Sequence, residues 1–201
     1  MPKVGVQEER RRQLIEATLD VVGELGLQSA TIGAISRTAG MSSGLISHYF
    51  GGKQALIEAT LRQLLEELKL ALLEHTQSAS LTAQQRLMAI VEANYSDFQR
   101  SATTTRTWLS FWARAMHEPG LARLQHINNR RLYSNLCYSF RQLLPPEVAR
   151  DAAKQTAGLI DGFWLRSALG PDQEQGFLES EALCKAFINN TLKQHGVEPC
   201  P

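Results

Sequence analysis

The sequence predicts an all-α protein with a small three-helix head at its N-terminus and a larger helical domain behind it. Three observations carry this. Apolar residues recur three and four positions apart through nearly the whole chain, the periodic stretches are separated by glycines, prolines and hydroxyl residues suited to helix ends, and no stretch alternates in the manner of a strand.

In chain order, residues 1–7 read as a flexible lead, followed by Glu8, Glu9 and the arginines Arg10, Arg11 and Arg12. Leu14, Ala17, Thr18, Val21, Val22 and Leu25 then share a helical face that Gly26 closes. The stretch TIGAISRTAGMSSGLISHYF, from Thr31 to Phe50, forms two short helices joined by a tight turn. Ile32, Ile35 and Ala39 line the first; Leu45, Ile46 and Tyr49 anchor the second. Thr31, Ser42 and Ser43 are natural N-caps, because a side-chain oxygen there accepts from the unpaired N–H groups of a first helical turn. Gly40 stands where the first helix stops and the chain reverses.

Lys53 to His75 predicts a stiff connecting helix, with a stripe of Leu56, Ala59, Leu64, Leu68 and Leu72 and no proline or internal glycine. Residues 76–81, TQSASL, form a polar break, and Thr82 with Gln85 reads as a capping box. The helix after it carries Leu87, Ile90, Val91, Asn94, Tyr95 and Phe98 and runs out in the polar Ser101–Thr105. Trp108, Leu109, Phe111, Trp112 and Ala115 mark another, stopped by Pro119 and Gly120. Helices follow over Leu121–Leu144, Glu147–Leu169 and Asp172–His195, separated by Pro145 and Pro146 and by Gly170 and Pro171, with Gly196 at the end.

The charges nearly cancel, 21 basic against 20 acidic residues in a chain of 201. Nucleic-acid binding must therefore come from local placement rather than from a polybasic surface. Cys137, Cys184 and Cys200 are odd in number and lack metal-ligand spacing, which fits reduced thiols. There is no apolar run long enough to span a bilayer and no apolar signal core, so the sequence predicts a soluble, cytoplasmic protein without a membrane partner.

In a helix-turn-helix the second helix enters the major groove of double-stranded DNA with its N-terminal residues toward the base edges. That edge here is Ser42, Ser43, Gly44 and Leu45, with Ser47 and His48 one turn on. His48 and Tyr49 are placed to donate to phosphates, and Lys53 begins the next helix, where a phosphate meets a positive helix end. Thr31 at the start of the first helix completes the set. The arginines at 10–12 read either as a solvated helix face or as backbone contacts. A helical hairpin packing a small core, in an interaction module that never touches DNA, is the alternative.

The run T-I-x-x-I-S-x-x-A-G-M-S-x-G-L-I-S-H-Y-F-G-G-K-x-A-L, beginning at Thr31, resembles the N-terminal signature of the TetR family of transcriptional regulators. Ser36 falls where that family more often has alanine. SSGLISHYFGGKQALIEATLR, FWARAMHEPGLARLQHINNRRLYSNL and LIDGFWLRSAL resemble the choline-responsive branch that represses glycine betaine synthesis genes, and they span most of the chain. The resemblance implies a helix-turn-helix DNA-binding domain over 1–52 and a helical ligand-binding and dimerisation domain over 53–201. It implies a ligand-responsive repressor with choline as effector and no cofactor.

Tyr95 and Phe98, Trp108, Phe111 and Trp112, and Asp161 with Trp164 are the candidate effector residues. A quaternary ammonium ion cannot donate a conventional hydrogen bond, so ring faces bind it, each worth about 0.5–2 kcal/mol, with a carboxylate supplying charge. The bland reading is that aromatic stripes at helical spacing are core, and that Asp161 pairs with Arg166 or lies in a subunit contact. A bulkier lipophilic cation or an acyl ligand is the competing effector.

The last two helices are apolar on broad faces, with Phe177, Leu178, Ala182, Leu183, Ala186, Phe187 and Ile188 on the final one. That breadth argues for a second chain, and the resemblance implies a homodimer. A two-fold dimer reads a palindromic operator with half-sites roughly 34 Å apart, or a multiple of that. His48, His75, His117, His126 and His195 are scattered, and Ser47 beside His48 has no acid partner, so an enzyme is not expected.

Overall fold

Thr31 sets the register of the reading head. Its backbone is extended (φ −85°, ψ 157°), and its Oγ1 accepts from the N–H of Ala34 at 3.1 Å. In this computed structural model, which describes residues 3–76 and 81–198, all the regular structure of the described residues is helical. The predicted break at 76–81 lies mostly outside the described residues, as does Cys200.

The first helix, α1 (Lys3–Ser29), corrects the expected flexible lead, because it is already helical at residue 3. Ion pairs from Arg12 to Glu9 and Glu16 reinforce its exposed face at the i,i+3 and i,i+4 spacings. Gly26 (φ 75°, ψ 160°) interrupts it as expected, and Leu25 beside that break is 54% exposed, so it leaves the predicted apolar stripe. The helix-turn-helix is α2 (Ile32–Thr38) and α3 (Gly44–Phe50). The turn closes by the two bonds typical of a glycine-terminated helix: Gly40 (φ 63°) donates to the Arg37 carbonyl at 3.1 Å, and Met41 donates to Ser36 at 2.9 Å.

The connector α4 spans Lys53–Thr76. The capping box then opens α5 (Ala83–Asn94): Gln85 N–H donates to the Thr82 hydroxyl at 3.2 Å, and Thr82 N–H donates to the Gln85 amide oxygen at 2.9 Å. One helix was expected through Phe98 and on into the polar run. Instead α5 stops at Tyr95, a single turn α6 (Asp97–Arg100) intervenes, and Ser101 caps α7 (Ala102–Ala115) by accepting from Thr104. The hydroxyl run thus starts a helix rather than ending one, which is the usual work of a capping serine. Pro119 and Gly120 likewise open α8 (Pro119–Phe140), since proline at a first helical position forfeits no bond. That helix ends before Leu144, where Leu143 and Leu144 both turn back onto the Phe140 carbonyl. Pro145 and Asp172 lead into α9 (Pro146–Ala168) and α10 (Gln173–Gln194).

The helices form two compact units, Met1–Glu66 with Ser101–Gln125, and Glu67–Arg100 with His126–Pro201. In the first, Leu14, Val22, Ile35, Ile46 and Leu56 are fully buried around the helix-turn-helix. This unit also takes in α7, because α1 packs closely on it: a Cβ at Gly23 would stand 2.9 Å from Thr103 Cγ2. In the second, α9 and α10 pack together and α5 lies against α10, around Tyr95, Ile160, Phe177 and Ile188.

Candidate functional site

The reading edge is exposed. Ser42, Ser43, Gly44, Ser47 and His48 face solvent, whereas Leu45, Tyr49 and Lys53 are half-buried and Ile46 is fully buried beneath them. Ser43 occupies the N-cap position of α3 but makes no capping bond, contrary to expectation. Its φ of −59° and ψ of −27° are already helical, whereas Thr31 and Thr82, which do cap, are extended. Thr31 is exposed, with its hydroxyl committed to Ala34. His48 and Tyr49 meet edge to face at 4.9 Å. Gly51 (φ 80°) and Gly52 (φ 148°) then turn the chain so that Lys53 begins α4. Two of the three arginines are engaged within the head, Arg12 with Glu9 and Glu16, and Arg11 with the Tyr49 carbonyl and the Phe50 ring.

The candidate effector residues fall in both units. Trp108 and Phe111, both buried, and the half-buried Trp112 belong to the first, with Trp108 and Trp112 at 6.3 Å. Tyr95, Phe98, Asp161 and Trp164 belong to the second. There Tyr95 and Trp164 flank Phe177, at centroid distances of 6.4 and 5.7 Å. The Tyr95 hydroxyl donates to the Ile160 carbonyl at 3.2 Å and lies 3.7 Å from Cys184 Sγ. Burial, with Cys184, Asp161 and Glu181 adding to it, raises the Tyr95 phenol. Burial pushes the Cys184 thiol up to about 11, which keeps it protonated. Phe98 is 39% exposed.

Asp161 is exposed on the surface of α9, yet its surroundings strip enough hydration to raise its carboxyl to about 6. It forms no ion pair with Arg166 or any other described residue. Lys185 of α10 reaches both Glu92 and Glu181 at 2.7 Å. Burial works against the Lys185 charge, but those two carboxylates more than offset it and raise its pKa. Sequence reasoning treated Phe177 only as part of an apolar stripe and passed over Glu181 and Lys185. Helical spacing can place Glu181 beside Lys185, four residues on, but gives no signal for Glu92, 93 residues away in the chain.

An exposed serine-rich helix edge on a three-helix head, joined to a second helical unit with a buried aromatic group and an acid, defines a helix-turn-helix transcriptional regulator. Residues 14–60 match the family described as bacterial regulatory proteins, tetR family, and residues 83–193 match the BetI-type transcriptional repressor, C-terminal. The chain is 52% identical over 169 residues to the HTH-type transcriptional regulator BetI of Burkholderia thailandensis, covering 84% of this chain and 87% of that protein. It is 50% identical over 195 residues to the BetI regulator of Yersinia pestis, covering 96% of each. In fold it is similar to a transcriptional regulator of Saccharomonospora viridis solved in complex with choline, at a TM-score of 0.76 and 19% identity, over 88% of this chain and 95% of that one. The chain belongs to the TetR family and, within it, to the BetI-type transcriptional repressors. It is a DNA-binding regulator and not an enzyme. None of its described helices is long and apolar enough to cross a membrane.

Proposed function

We propose that this repressor controls genes for conversion of choline to glycine betaine and that choline is its effector. The observation that carries the reading is the 50% identity to a BetI regulator over 96% of both chains. Residues 1–52 form the DNA-binding domain and 53–201 the effector and dimerisation domain. Ser42, Ser43, Gly44, Leu45 and Ser47 read the operator, while Thr31, His48, Tyr49 and Lys53 hold its backbone. Supporting this division, the Ser43 hydroxyl is exposed and unspent on capping.

Choline is bound in the second unit, beside Asp161 and the Tyr95 and Trp164 rings. Those rings pack against Phe177 in the present arrangement, so their faces become available only if that packing loosens. Such a requirement makes the liganded state a distinct conformation, and a ligand that prefers it shifts the population of DNA-competent molecules.

The working form is a homodimer through α9 and α10. Leu165 on α9, Leu169 at its C-cap, and Leu178 and Leu183 on α10 are exposed, and a Cβ at Gly158 or Gly162 would meet nothing. Glycine inside an exposed helix costs about 1 kcal/mol relative to alanine, and close approach of a partner helix accounts for two of them.

Fluorescence anisotropy of a labelled duplex from upstream of the protein's own gene, with and without choline, tests the reading. Tight, competitor-resistant binding that choline changes is the expected result. Specific binding indifferent to choline would discard the effector and keep the repressor.

A further inference from the structure

The reading helix α3 has seven residues and a single fully buried side chain, Ile46. A helix this short is marginal by itself, so tertiary contacts must fix its pitch. Its C-terminal end runs directly into Gly51 and Gly52, both at positive φ and both lacking a side chain to pack. Whatever holds Tyr49 and Phe50 therefore decides how α3 is presented.

Arg11 holds both. Its Nη1 donates to the Tyr49 carbonyl, and its guanidinium lies over the Phe50 ring, 4.3 Å from the centroid. The Tyr49 carbonyl is among the last of α3, which have no helical partner, and a cation at that end also meets the negative pole of the helix. Arg11 belongs to the inward face of α1, three and seven residues before the fully buried Leu14 and Thr18. Its neighbour Arg12 occupies the outward face with Glu9 and Glu16. The planar guanidinium stacks with its face and donates with its edge at once, a combination that an ammonium cannot reproduce.

We infer that Arg11 is a positioning residue for operator recognition, clamping the C-terminal end of α3 against α1 rather than contacting DNA. The inference rests on α3 being the reading helix.

The experiment compares wild type, Arg11→Met and Arg11→Lys on operator and scrambled duplexes across a salt series, with amide exchange of α3. For Arg11→Met the expected outcome is an about tenfold loss on the operator. The scrambled duplex and the salt slope stay unchanged, and the amides of residues 50–52 exchange faster. Arg11→Lys recovers only part of the operator preference.

Equal losses on both duplexes, with the slope reduced by about 0.9, would make Arg11 a phosphate contact and overturn the inference. An unchanged operator preference in Arg11→Met would also overturn it. Should Arg11→Met not fold, Arg11→Lys decides alone, by a reduced or a wild-type preference at unchanged slope. The double variant Ser43→Ala, Ser47→Ala separates the two levels. If it binds operator like wild type, α3 is not the reading helix and the inference falls with that reading; if it loses preference while Arg11→Met does not, the inference alone fails.

Discussion

The Tyr95 phenol donates to the main-chain carbonyl of Ile160 at 3.2 Å, fastening the end of α5 to the middle of α9 one residue before Asp161. The bond joins the two elements from which the proposed effector site is built. Tyr95→Phe removes it without emptying the core. The Ile160 carbonyl keeps its place in the helical ladder, so the expected cost is only about 1 kcal/mol by urea denaturation. Choline response changes in the same variant if α5 and α9 move together.

Asp161 makes stability depend on pH in an unusual direction. Its native carboxyl is raised from 3.8 to about 6, so between those values the folded chain holds more protons than the unfolded one. The contribution is fully present below about 3.8 and is lost as pH rises through about 6. Because the residue also keeps exposed surface, water screens part of this penalty. Asp161→Asn should melt higher than wild type at pH 7, and the gap should close on acidification. A bound cation favours the carboxylate, so choline affinity in wild type, followed by calorimetry, should fall as pH drops below 6.

Ser36 is 4% exposed, and its hydroxyl finds no partner among the described residues. Ser36→Ala removes a desolvated polar group and adds the best helix former, so it should stabilise the head by about 1 kcal/mol. Thermal unfolding decides; an unchanged or lower midpoint would show that the hydroxyl is satisfied.

Gly23→Ala places a Cβ 2.9 Å from Thr103 Cγ2 and 3.2 Å from the Thr103 main chain. Overpacking of this kind costs about 1–3 kcal/mol, against about 1 gained in helix propensity, so net destabilisation is expected. Thr103→Ser in the same chain should recover part of the loss, and a double-mutant cycle measures how much.

Gly162→Leu tests the subunit contact. The position is open in the single chain, so helix content by circular dichroism should stay at the wild-type level. Sedimentation should show the dimer weakened or abolished; a dimer of undiminished affinity would remove α9 from the interface.

The helical class, the helix-turn-helix and most helix ends are legible in the residues alone. Thr31, Gly40, the Thr82–Gln85 box, Asp172 and Gly196 work through hydrogen bonds and backbone angles within five residues of themselves, so their meaning is local and readable. The ends that depend on choosing between two local options, such as Ser101 starting α7 and Pro119 starting α8, are not legible in that way. Which face each residue meets is set by the packing of the helices. Arg11 and Arg12 are adjacent and chemically identical, yet one clamps the reading helix while the other pairs with solvent-facing carboxylates. Tyr95, Trp164 and Phe177 gather in one unit while Trp108 and Phe111 belong to the other, although all five lie on apolar helical stripes. A stripe specifies that a side chain is buried; the packing of whole helices, remote in sequence, selects what it is buried against.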